Sequence, residues 1–231
     1  MYVIWKHLGL PDPTPIQYDI ALYLQHGDRR RMVQAFRGVG KSWITAAFVL
    51  WRLYKNPEER ILVVSASKDR ADAFSVFVKR LIDEVPLIQH LRPDPDKGQR
   101  DSIVAFDVGP SGAHQAPSVR SVGITGQLTG GRATIIIADD VEVPKNSMTQ
   151  TMRDRLSESV KEFDAVLVPA GEIIYLGTPQ TEMSLYNVLP ERGYDIQIWP
   201  ARYVAAKEVG RYRDRLAKII QDRILTDKGC V

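Results

Sequence analysis

Apolar, β-branched runs alternate along the chain with stretches whose apolar residues recur every three or four positions. Such alternation predicts strands and helices in turn, and so an α/β fold with a mainly parallel central sheet flanked by helices. Residues 61–65 and 134–138 are almost wholly apolar, as strands covered on both faces should be. Further strands are expected over 32–36, 172–176 and 194–199, with a hairpin-like pair over 102–107 and 119–125. Helical spacing covers 3–10, 16–25, 41–54, 69–85 and 148–163, with stops at Pro11, Gly27, Pro57 and Pro86. The stretch 207–225 reads as one more amphipathic helix, with Val209, Leu216 and Ile220 on one side and Arg211, Arg215 and Lys218 on the other. It is expected to point away from a domain spanning 1–206, so that 207–231 forms a connector.

Composition narrows the class. The chain has 231 residues, 44% hydrophobic and 26% charged, enough to bury one core and remain soluble. No apolar run approaches the roughly 18 to 20 residues a membrane helix needs, and no secretory leader is expected. Cys230 is the single cysteine, which excludes an internal disulfide framework and points to a reducing, intracellular setting. The net charge of +3 allows a nucleic-acid partner without arguing for one. Arg29-Arg30-Arg31 reads as a solvated turn, and the four tryptophans as core residues.

The first chemical signal is Ala35-Phe36-Arg37-Gly38-Val39-Gly40-Lys41-Ser42, placed between an expected strand and an expected helix. Glycines at this point let Gly38, Val39 and Gly40 turn their N–H groups toward one anion, and the helix start adds its own unpaired donors. Lys41 is placed to reach the β- and γ-phosphates of a nucleotide, and the Ser42 hydroxyl to ligate Mg²⁺. Ala35 stands where the P-loop consensus has its first glycine.

The second signal is the acidic end of the apolar strand, Ala138-Asp139-Asp140-Val141-Glu142. Carboxylates there lie at the carboxyl edge of the sheet, where open α/β folds bind ligands. Asp139 is expected to hold the Mg²⁺ shell and Asp140 to orient or deprotonate the attacking water. Glu142 remains a rival for that base, because aspartate is one methylene shorter than the glutamate common in motor ATPases. A carboxylate that positions water marks a hydrolase.

These residues resemble a family. The loop from Ala35 to Ser42, with Arg37 four residues before the lysine, is similar to the deviant Walker A loop of large terminase subunits from tailed bacteriophages, closest to the short-tailed, podovirus-type branch. Four other stretches carry the likeness: 61–68, 121–130, 135–142 and 175–183. The resemblance implies a three-layer P-loop NTPase domain that hydrolyses ATP with Mg²⁺ and drives double-stranded DNA into a procapsid. It implies Gln17 as reader of the adenine base, although Thr14 as a cap and Pro15 at the first turn also suit an ordinary helix start. Arg37 would sense the γ-phosphate, and Thr178, in Gly177-Thr178-Pro179, would couple loss of phosphate to movement. Arg132, in the glycine-rich loop before the acidic strand, would serve a neighbouring subunit's nucleotide, or else form a loop salt bridge.

The implied partners are double-stranded DNA, the procapsid portal protein, the small terminase subunit and further copies of the chain in a ring, the isolated domain being expected as a monomer. The implied place is the host cytoplasm, transiently docked on the procapsid, with no membrane. Full-length members carry a C-terminal nuclease domain; nothing after Tyr203 could supply one, so cleavage of DNA is not expected of this chain. A helicase-like translocase of another type and a P-loop kinase are the alternatives. The first expects a second ATPase-type lobe, the second an acceptor pocket and lid.

Overall fold

A computed structural model of the chain describes residues 1–178 and 184–223. The expected stretch 179–183 and the end of the expected C-terminal helix lie outside the described residues. The elements run α1 (Tyr2–His7), α2 (Pro15–His26), β1 (Arg30–Ala35), α3 (Lys41–Lys55), β2 (Ile61–Ser65), α4 (Lys68–Glu84), β3 (Ala105–Phe106), β4 (Val119–Gly123) and β5 (Ala133–Asp139). They continue with α5 (Pro144–Ser147), α6 (Gln150–Val166), β6 (Leu167–Gly177), α7 (Leu185–Val188), β7 (Asp195–Trp199), α8 (Val209–Tyr212) and α9 (Lys218–Gln221).

Seven strands form one sheet in the order β3-β4-β2-β5-β6-β1-β7. All neighbours are parallel except β3, which runs antiparallel to β4. The two-residue side-chain period of a strand divides the apolar residues between the faces. Val63, Ile135, Ile137, Ile174 and Leu176 meet α2, α3 and α4 on one side. Leu62, Ile136, Ala138, Ile173 and Tyr175 meet α6 and α7 on the other. Ile135, Ile136 and Ile137 have no exposed surface, and each contributes roughly 1.5–3 kcal/mol by burial. The three-layer α/β architecture expected from the sequence is the one observed.

Caps fix the helix starts that periodicity leaves loose. Ser67 accepts from Arg70 N–H and Thr149 from Met152 N–H, so the two helices begin at Lys68 and Gln150. The Thr14 hydroxyl accepts from Gln17 N–H while Gln17 Oε1 accepts from Thr14 N–H, a reciprocal capping box.

Two expectations are overturned. The single helix over 207–225 is not formed across its described part; short turns at α8 and α9 replace it. Leu216 pairs with Ile198 beside β7, and Leu216, Ala217 and Ile220 enter the core, so this stretch covers the sheet edge rather than leaving it. Nor is Arg31 part of a solvated turn. It is 1% exposed, donating to Leu24 O at 2.5 Å, Asp28 O at 2.7 Å and Glu172 Oε2 at 2.8 Å. Glu172 also accepts from Arg52, which itself donates to Glu59. This chain of charges ties the last turn of α3 to the amino edge of the sheet. Of the tryptophans, Trp5 and Trp199 are buried as expected, while Trp43 is 37% exposed.

Candidate nucleotide site

The loop between β1 and α3 begins where Phe36 N–H donates to Trp199 O, the last contact of β1 with its edge neighbour. Gly38 and Gly40 have φ values of +92° and +86°, backbone that a side chain would strain. α3 then starts at Lys41, and Gly40 supplies no side-chain cap. Trp43 N–H donates to Gly40 O, which leaves the N–H groups of Lys41 and Ser42 as the open donors at the positive end of a 15-residue helix.

Lys41 folds back onto the loop. Its Nζ donates to Ala35 O at 2.8 Å and Phe36 O at 3.2 Å. Burial lowers the Lys41 ammonium from its ordinary range, against the opposing pull of Asp140 and Asp139. The Thr178 hydroxyl, at the end of β6, donates to the same Ala35 carbonyl at 3.0 Å. Strand β6 lies between β1 and β5, so Thr178 stands between the loop and the acidic strand end. Gln17 reaches in from α2, its Nε2 donating to Val39 O at 3.0 Å. With Oε1 taken by the capping box, both ends of the Gln17 amide are engaged by protein.

Asp139 closes β5 at the carboxyl edge. Burial, followed by the charge of Asp140, pushes its carboxyl up to about 6, with Lys41 and Arg70 pulling the other way. Asp140 has φ +44°, in the left-handed region, and its N–H donates to Leu176 O at 2.8 Å. That turn, costing on the order of 1 kcal/mol for a non-glycine residue, takes Asp140 out of the line of the strand. A cleft of about 370 Å³ is lined by Ser42, Trp43, Arg70, Phe77, Asp139 and Asp140. Helix start, serine hydroxyl and both aspartates thus share one opening.

Other expected residues lie elsewhere. Arg37 is exposed on the loop, near enough that its charge further lowers Lys41. Glu142 does not line the cleft: it is 1% exposed, and its Oε2 accepts from Leu185 N–H at 2.6 Å. Arg132 precedes β5 at the opposite, amino edge, about 20 Å from Asp139 along a seven-residue strand. Its Nη1 donates to Ala165 O, and it lines a crevice of about 970 Å³ with Arg29 and Arg30. The sequence reading missed Arg70, because nothing in a helix-start pattern shows which strand end the helix overhangs. It missed Tyr186 too, whose hydroxyl accepts from Glu142 N–H at 3.2 Å.

Residues 34–164 match the protein family described as terminase large subunit, T4likevirus-type, N-terminal. The chain is 53% identical to the terminase large subunit of Enterobacteria phage T3 over 96% of its own length, and spans 38% of that relative. Among solved structures it is similar to a variant of the large terminase ATPase domain of Thermus phage P74-26, with a TM-score of 0.51 and 14% identity over 96% of this chain and 92% of that one. It is equally similar, at a TM-score of 0.51 and 16% identity, to S. cerevisiae Dbp5 bound to Nup159, Gle1 and ADP, over 87% of this chain and 52% of that one. At those identities the two structures establish the fold alone.

Proposed function

This chain belongs to the N-terminal family of terminase large subunits, and on that premise we propose that it is the ATP-hydrolysing motor domain that drives double-stranded DNA into a procapsid. The observation that carries the reading is the shared opening: an uncapped helix start at Lys41 and Ser42 facing the paired carboxylates of Asp139 and Asp140. An anion-binding loop opposite two aspartates suits a triphosphate held with a divalent cation.

The donor set fits Mg²⁺. A serine hydroxyl and a carboxylate are hard oxygen ligands, and Mg²⁺ bound to phosphate commonly takes only one or two from protein. No cluster of three or more His, Cys, Asp or Glu exists among the described residues, which suits an ion that keeps water and phosphate oxygens. Ser42 and Asp139 would hold it, and it would neutralise charge on the phosphate oxygens. The loop amides bind the phosphate chain. Lys41 exchanges its carbonyl partners, Ala35 O and Phe36 O, for phosphate oxygens, and so regains an anionic partner for a buried ammonium. Asp140 orients the attacking water, and Arg37 reads the terminal phosphate. Thr178, bonded to the carbonyl that Lys41 leaves, registers the exchange. Gln17 braces Val39 and so reports on the loop from the side where a base would lie.

Movement needs a contact that differs between ATP and product. The Ala35 carbonyl, shared by Lys41 and Thr178, is where that difference enters β6. A trans role for Arg132 requires the amino edge of one subunit to face the carboxyl edge of the next. A head-to-tail ring supplies that contact. The portal protein, the small terminase subunit and the host cytoplasm complete the proposal as partners and place. Hydrolysis of ATP should rise when DNA and procapsid portal are added together. Transfer of phosphate to a small acceptor, or hydrolysis indifferent to both partners, would refute a packaging motor.

A further inference from the structure

We propose that Tyr186 and Glu142 are positioning residues that clamp the Asp140 turn to the end of β6, so that the setting of Thr178 fixes where the water-orienting carboxylate points. This rests on the role given to Asp140 above.

The clamp is built from contacts on both sides of one short turn. Tyr186 is 1% exposed, and its ring lies against the backbone of Gly177. A Cβ added at Gly177 would come within 2.6 to 2.7 Å of the Tyr186 ring and hydroxyl, so glycine is required for this close approach. The same hydroxyl accepts from Glu142 N–H at 3.2 Å. Two residues beyond Asp140, Glu142 Oε2 accepts in return from Leu185 N–H, at 2.6 Å. The turn is stiffened from its far side as well, where Asn146 Nδ2 donates to Val141 O at 2.8 Å and Asn146 Oδ1 accepts from Val143 N–H at 2.9 Å.

The cost of this arrangement argues that it does more than fill space. Glu142 Oε1 is buried with no hydrogen-bond partner among the described residues. An unsatisfied buried carboxylate oxygen is expensive, and an apolar side chain of similar size would be the more stable choice. What the carboxylate and the tyrosine hydroxyl provide is direction: each fixes a backbone N–H of the partner segment. Burial also pushes the Tyr186 hydroxyl well above its ordinary range, so it stays neutral.

These contacts complete a continuous route. Lys41 and Thr178 donate to Ala35 O, Thr178 adjoins Gly177, Gly177 abuts Tyr186, and Tyr186 holds Glu142 beside Asp140. When Lys41 transfers to phosphate, Thr178 is left as a donor to that carbonyl, and any shift at the end of β6 meets a close-packed ring rather than empty space.

The test is a double-mutant cycle, read by single-turnover hydrolysis at saturating protein, with ATP affinity and melting temperature measured alongside. Tyr186→Phe should slow hydrolysis about tenfold while leaving ATP affinity within about twofold. In an Asp140→Asn background the same change should have no further effect, because the group being positioned is gone. Glu142→Gln, which keeps the ring contact, should show the same background dependence with a smaller loss. An equal fold loss in both backgrounds, or a loss that follows only the melted fraction, would overturn the clamp. Hydrolysis at the wild-type rate by Asp140→Asn alone would instead overturn the role of Asp140, and the clamp with it.

Discussion

Replacing Glu172 by Gln removes the charge that joins two arginines beneath the sheet. Glu172 Oε1 lies 2.5 Å from Arg52 Nη1 and Oε2 lies 2.8 Å from Arg31 Nη2, with Arg31 1% and Glu172 19% exposed as side chains. Removing one partner of a fully buried pair costs about 3–5 kcal/mol. Arg31 keeps its carbonyl acceptors and Glu172 is partly solvated, so about 2–4 kcal/mol is expected here. For a chain of this length that is roughly 4–16 °C in melting temperature at pH 7. Burial alone would raise the Glu172 carboxyl; hydrogen bonds and charge from Arg52 and Arg31 outweigh it and hold the group below its ordinary value. A carboxylate lowered in the folded state stabilises above its unfolded pKa, near about 4.3, and that contribution disappears as pH falls through the folded value. The gap between wild type and Glu172→Gln should therefore be full at pH 7 and shrink at pH values below about 4.3. Calorimetry across that range checks both points. A drop under about 1 °C at pH 7, or a gap that does not change with pH, would refute the network as a stabilising anchor for α3.

Asp140→Asn should retain ATP binding and lose about 10² to 10⁴ in hydrolysis, far more than Glu142→Gln, in a single-turnover assay; the reverse ranking would make Glu142 the base. Gln17→Ala removes the brace on Val39 O and half of the capping box, so the melting temperature should fall by about 2–6 °C. If Gln17 acts as a brace, ATP and GTP affinities should weaken together in a fluorescence titration, whereas a selective loss for ATP would support the base-reading role. Mixing Arg132→Ala with Lys41→Ala subunits should recover part of the hydrolysis if Arg132 acts on a neighbour, and no recovery would confine it to its bond with Ala165 O.

Much of this was legible in the chain because two periods carry it. Strands such as β2 and β5 are apolar on both faces, Ile61 to Val64 and Ile135 to Ala138, as a sheet covered on both sides requires. The loop between β1 and α3 was legible because Gly38 and Gly40 take positive φ and Lys41 opens a helix. What stayed hidden depends on contacts between distant segments. Nothing local marks Arg31 as buried, since its partner Glu172 lies 141 residues away. The amphipathic spacing of 207–225 suited a helix, yet Leu216 and Ile220 gain more by covering β7 than by continuing one. In sequence Glu142 stood as a rival to Asp140. The left-handed turn at Asp140 separates them, placing one in the cleft and the other against α7.

Lys41→Ala, assayed for ATP hydrolysis and ATP binding beside the wild-type chain with its melting temperature recorded, bears most directly on the proposed site between the Lys41 loop and the paired aspartates. Among the described residues Lys41 hydrogen-bonds to backbone carbonyls of its own loop, so the variant should stay folded while hydrolysis falls to background. Turnover equal to wild type in a folded Lys41→Ala protein would mean that the triphosphate is gripped elsewhere.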